Sequence, residues 1–261
     1  MRLIFSTLLV YVIAAGAVSG LQLLAVTVLL SWRAGSVDLE RNGLAILLTG
    51  VPASSLALIA IALLAAGRPR RVTLRLVPGR ATARAIAAMV VGMLALSQAL
   101  ESLALLVGVG PGPALDWMAR TLASAPPLGL LLAVVVVGLL APVGEELFFR
   151  GYMLTRLRRT WRAGPAILVT ALAFGIIHGE WVHGVLAAGI GLFLGIVAER
   201  SASVVPAVIC HAANNTASVV LSAVVGSPEG RGANAVLLVL AALVFAASLV
   251  WLRRLTPPPA V

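Results

Sequence analysis

Pro142-Val143-Gly144-Glu145-Glu146-Leu147-Phe148-Phe149-Arg150 interrupts an apolar run that begins near Leu128 and sets three formal charges where lipid should allow none. An ionisable group at membrane depth costs roughly 2.5 kcal/mol or more, so a span that keeps such groups marks a functional site by default. The reading of the chain works outward from that stretch.

Around it, composition bounds the answer. Hydrophobic residues make up 61% of the 261-residue chain and charged residues 11%, with a mean hydropathy of +1.09. A water-soluble domain cannot bury that much apolar surface, whereas a polytopic helical membrane protein can, because lipid takes over the role of core. The net charge of +10 comes entirely from arginine, there being no lysine. The arginines fall in short connectors between apolar spans, which reads as control of topology rather than as nucleic-acid binding. Cys210 is the only cysteine, so neither an internal disulfide nor a cysteine-based zinc site is available.

Apolar runs predict eight membrane helices, at approximately 3–31, 44–66, 82–108, 128–158, 163–178, 184–199, 203–225 and 234–252. The separators fit: Arg33 to Asn42 is polar, Arg68 to Arg80 arginine-rich, Gly108 to Pro113 turn-forming, Gly226 to Gly232 Gly/Pro-containing, and the tail Thr256 to Val261 is expected to be disordered. The chain reads as one membrane domain over 1–261, all-α, without repeats. Met1-Arg2 followed by an apolar stretch to Leu30 imitates a secretory signal, but the run continues past any plausible cleavage point, so a retained first span is expected. With the N-terminus inside, 15 of the 19 arginines fall on the cytoplasmic side, and only Arg33, Arg41, Arg120 and Arg231 on the other. Both termini are therefore expected in the cytoplasm, and the protein in the cell membrane.

Glu145 and Glu146 are neighbours, so on a helix they point about 100° apart and cannot share one role. Glu146 and Arg150 stand at i, i+4 with the acid N-terminal, the better orientation for a helical ion pair. Glu145 is left without a local partner, which suits a general base. His178 closes the next span, with Phe174 four residues back on the same face. His211 and Asn215 share a face of the seventh span, Asn214 being a weaker candidate. At about 1.5 Å per residue, three helices bring Glu, His, and His plus Asn to a similar depth and outline an intramembrane polar cavity. Glu145 aided by His178 can hold and deprotonate a water, while His211 and Asn215 donate hydrogen bonds to a developing oxyanion. Alternatively, Glu145, His178 and His211 can ligate a zinc ion with an open fourth position. Both routes end in hydrolysis of an amide or ester.

Other hydrolase plans do not fit. Ser227 lies in a loop, Asp38 and Asp116 lie in connectors, and His178-Gly179-Glu180-Trp181-Val182-His183 spaces its histidines by five, which is not one helical face. Glu180 and His183 are read as turn residues, and Cys210 as buried filler. Gly16-x-x-x-Gly20 and Gly191-x-x-x-Gly195 permit close helix contact.

Glu145-Glu146-x-x-x-Arg150, Phe174-x-x-x-His178 and His211-x-x-x-Asn215, in that order on successive spans, resemble the motifs of the CAAX protease and bacteriocin-processing family, the type II CAAX prenyl endopeptidase-like membrane proteins. The resemblance covers roughly 128–225. It implies an eight-helix intramembrane endopeptidase opening towards the cytoplasm, with Glu145 and His178 handling the water, His211 and Asn215 stabilising the oxyanion, and Glu146 and Arg150 supporting the site. Family members have been described both as metalloproteases and as metal-free glutamate proteases. The metal-free route, without a cofactor, is preferred here because Asn215 beside His211 suits an oxyanion hole better than a ligand sphere. The expected substrate is a membrane-anchored or lipidated, CAAX-like peptide or protein cleaved near its C-terminus, with the bilayer as the other partner. The alternative is a non-proteolytic peptide-binding, immunity or assembly factor on the same scaffold, and oligomeric state is left open.

Overall fold

The computed structural model describes residues 1–32, 42–225 and 230–255, and among these every regular element is a helix. The linker expected from Arg33 apart from Asn42, the first four residues of the one from Gly226, and the tail from Thr256 lie outside the described residues. The chain runs through α1 (Arg2–Trp32), α2 (Gly43–Ala65), the single turn α3 (Arg70–Thr73), α4 (Ala83–Leu106), α5 (Gly112–Ala123), α6 (Pro127–Leu157), α7 (Ala163–Ile176), α8 (Trp181–Ser201), α9 (Val205–Val224) and α10 (Arg231–Leu255). Seven of them are long and apolar enough to cross a membrane, and the protein is an all-α, polytopic membrane protein.

Two elements differ from the sequence expectation. The fifth apolar run is shorter than a span: α7 has 14 residues, about 21 Å of helix against roughly 30 Å of hydrocarbon. It stops because Gly179 turns the chain at φ +73° and Glu180 starts the next helix, its carboxylate accepting from the backbone N–H groups of Val182 and His183 at 2.7 and 3.0 Å. Glu180 is thus an N-cap, and His183 is helical rather than a turn residue. The other difference is α5, a 12-residue helix unmarked in the sequence because it is far below spanning length. Its Asp116–Arg120 ion pair (2.5 Å) is the i, i+4 signature of a helix. Gly112 at its start lies against Glu180 and Val182, so α5 sits over the tip of the α7–α8 hairpin.

The most extensive pairings are α4 with α10, α2 with α6 and α7 with α8, while α9 touches α4, α5, α6 and α8. Glycine sets several of these distances. Gly191 and Gly195 on α8 face Ala171 and Ile167 of α7, so that small-residue stripe is used. Gly16 and Gly20 on α1 face open space. Gly144, next to Glu145, packs against backbone, since a Cβ there would come 2.7 Å from the Ser55 carbonyl oxygen and 3.1 Å from Ser55 Cα on α2. Backbone cannot step aside as a side chain does. Gly144→Ala is expected to destabilise the fold by about 1–3 kcal/mol and to displace the adjacent Glu145, measured as a lowered melting temperature in detergent together with lost turnover.

At the arginine-rich end, Glu199 of α8 holds two arginines from distant parts of the chain. Its Oε1 accepts from Arg75 Nη1 at 2.5 Å and its Oε2 from Arg158 Nε at 2.7 Å. The segment after α3 is pinned further where Arg80 N–H donates to the Ser201 carbonyl (2.8 Å) and Val204 N–H to that of Arg75 (3.1 Å). Glu199→Gln keeps the shape but removes the charge from both pairs. Faster amide hydrogen exchange at 75–80 is expected, with a small fall in melting temperature because both pairs reach solvent.

Candidate active site

α6 carries the glutamates, and it is not a uniform α-helix. Val134–Leu140 and Leu147–Leu154 are wound as π-helix, with i→i+5 bonds, on either side of a short α-helical stretch, Ala141–Glu146. Such widened turns recur at functional sites because they redirect side chains and release carbonyls. Pro142 makes the release specific. Ala141 N–H bonds the Val136 carbonyl five residues back, and in the same pattern the next donor, to Val137, would be residue 142. Proline has no N–H. The orphaned Val137 carbonyl instead accepts from Asn215 Nδ2 of α9 at 3.3 Å. Gly138 next to it has room for no side chain, since a Cβ would meet Thr216 Oγ1 at 2.6 Å.

The charges that open the sequence reading form one network. Arg150 and Glu146 are fully buried and joined at 2.6 Å through Nη1 and Oε1. Arg150 Nη2 donates to the Gly191 carbonyl on α8 at 2.9 Å, and its guanidinium lies over the Phe174 ring at 4.7 Å. Glu146 Oε1 also meets His211 Nδ1 at 2.9 Å, so one carboxylate orients both the arginine and the imidazole. The expected Glu146–Arg150 pair is present, and it further ties α6 to α8 and α9. An ion pair without water is tolerable only when its remaining lone pairs and N–H groups find partners, and most of them do here. Glu146 Oε2 and Arg150 Nε are the exceptions.

Glu145 meets the other nitrogen of the His211 ring: 21% of its side chain is exposed, and its Oε2 lies 3.6 Å from His211 Nε2. His178 comes from the end of α7 and donates from Nδ1 to the Phe174 carbonyl at 2.7 Å. A carbonyl can only accept, so the Nδ1 proton is fixed there and neutral His178 carries its lone pair on Nε2. Phe174 stands between the two imidazoles, edge to face with His178 (4.9 Å) and with His211 (5.7 Å). Glu145, Glu146, Arg150, Phe174, His178 and His211 therefore meet in one buried cluster. Asn215 lies one turn further along α9, its Nδ2 engaged with Val137 and its Oδ1 accepting from Asn214 Nδ2 at 3.4 Å. Cys210 is buried and free.

His183 is one neighbour the sequence reading left aside. Its ring centroid is 4.4 Å from that of His178, the shortest aromatic separation in the cluster. The five-residue spacing conceals the pairing because a turn, not a helix, joins the two positions. Among the described residues no group of three or more His, Cys, Asp and Glu side chains is placed to hold one metal ion. The alternative trio of Glu145, His178 and His211 is not among such groups.

Fold and site together define an intramembrane protein with acid, imidazole and amide groups gathered on three helices. Residues 127–217, which hold every motif residue above, match the family model described as Type II CAAX prenyl endopeptidase Rce1-like. Comparison with curated proteins and with solved structures finds no match. The description names an endopeptidase.

Proposed function

We propose that the protein is an intramembrane endopeptidase that cleaves a membrane-anchored or lipidated peptide near its C-terminus, using a water activated by Glu145. The observation that carries the reading is the placement of Glu145, partly exposed, against His211 Nε2 while Glu146 and Arg150 pair with each other beside it. One carboxylate is spent on architecture. The other keeps part of its side chain exposed and is free to act on water.

The residues divide the work as follows. Water bound between Glu145 and the Nε2 lone pair of His178 gives its proton to Glu145 as its oxygen attacks the scissile carbonyl carbon. The tetrahedral oxyanion takes a hydrogen bond from His211 Nε2. Nδ1–H of that ring is already held by Glu146, so Nε2 donates only in the cationic imidazole, and the buried Glu146 carboxylate is its counter-charge. Asn215 can add its second amide hydrogen, the first being used on Val137. Collapse of the intermediate breaks the C–N bond, and Glu145 returns the proton to the leaving amine. The arginine-rich ends of the helices face the cytoplasm of the cell membrane, by the charge asymmetry already described.

The test is hydrolysis in liposomes of three quenched peptides of one sequence, bearing a farnesylated cysteine, an acylated cysteine or no lipid. The wild-type protein should cut an anchored peptide near its C-terminus and spare the soluble one, with the Glu145→Gln protein as control. Stable binding of the anchored peptides with no cleavage would overturn the proposal and favour a peptide-binding membrane component.

A further inference from the structure

The first helix carries none of the motifs, yet it reaches both helices that frame the site. On α1 the inward seam runs Thr7, Tyr11, Ala14, Val18, a 4-3-4 spacing that presents one narrow face to the protein, with Tyr11 half-buried and the other three buried. Phe5, Leu9, Val12 and Ile13 are exposed on the remainder, where lipid lies. Near the start of that seam Arg156 of α6 donates to Thr7 Oγ1 at 3.3 Å and to Ser6 Oγ at 3.2 Å. One turn on, the Tyr11 hydroxyl donates to the Ala173 carbonyl of α7 at 2.9 Å.

That bond falls in the last turn of α7. Ala173 O also accepts from Ile177 N–H at 3.2 Å, and the next carbonyl along, that of Phe174, fixes the Nδ1 proton of His178. The Tyr11 ring meets Phe149 at 6.3 Å, Phe149 meets Phe174 at 5.1 Å, and Phe174 touches both imidazoles. One side chain of α1 thus braces the carbonyl ladder and the aromatic stack on which His178 and His211 rest.

We infer that Tyr11 is a positioning residue for the site, its hydroxyl holding the last turn of α7 so that His178 keeps its tautomer and its aim. The inference rests on the peptidase reading for its kinetic consequence, but not for its structural one. Tyr11→Phe keeps the ring and removes the hydroxyl, and Tyr11→Leu removes both. For Tyr11→Phe kcat is expected to fall about 3–10-fold, the worth of one hydrogen bond, with KM and melting temperature unchanged. The His178 Nδ1–H resonance of ¹⁵N-histidine-labelled protein should shift or exchange faster. Tyr11→Leu should fall at least as far.

Wild-type kcat and an unmoved His178 resonance in Tyr11→Phe overturn the inference. So does a fall in kcat that merely follows a lowered melting temperature while the resonance stays in place. If the wild-type protein proves to have no Glu145-dependent peptidase activity, the peptidase reading fails alone, and the His178 resonance still decides the role of Tyr11.

Discussion

Glu145→Gln is expected to fold and melt like the wild type and to lose turnover by about 10²–10⁴-fold, the usual worth of a positioned general base. The amide nearly matches the carboxylate in shape, and Glu145 makes no ion pair with Arg150 that the change would break. The lost property is the ability to take a proton from water. KM for an anchored peptide should change little, because the side chain acts on water rather than on the substrate's anchor. Turnover and melting temperature measured on one preparation separate this outcome from a folding defect, and an unchanged rate would remove Glu145 from the chemistry.

Arg150→Met should have the larger structural effect. It leaves the Glu146 carboxylate fully buried and opposed only by His211, and stranding one member of a buried pair typically costs about 3–5 kcal/mol. The protein is expected to accumulate poorly or to melt far below the wild type. It also loses the bond from α6 to the Gly191 carbonyl and the guanidinium over Phe174. Replacing both partners by methionine discriminates between charge and shape. The double variant should recover much of the stability, since the buried carboxylate and guanidinium are both gone, but none of the turnover, since His211 has lost the carboxylate that orients it. A double variant as unstable as the single one would mean that the pair matters for packing alone.

The separation of those two glutamates was legible in sequence, because 100° per residue and an i, i+4 arginine leave no other arrangement on a helix. The Phe174–His178 relation was legible for the same reason. What was not legible depends on contacts between segments far apart in the chain. Nothing local says that Arg150 reaches Gly191, or that the π-wound turns around Pro142 leave a carbonyl for Asn215. Nothing local singles out Tyr11 until α7 is placed against α1. The span count was close, with α7 the exception: apolar composition continues to His178, but Gly179 and the Glu180 cap end the helix early. α5 escaped because a 12-residue amphipathic segment lacks the length that makes membrane helices conspicuous.

The shortness of α7 has a consequence for the surrounding bilayer. A helix about 9 Å shorter than the hydrocarbon slab is a case of hydrophobic mismatch, met by pinching the membrane locally or by filling the gap with protein. α5, resting on Glu180 and Val182, supplies part of that filling. Any remaining shortfall is met by thinning of the bilayer at the His178 end of α7, the end away from the arginines.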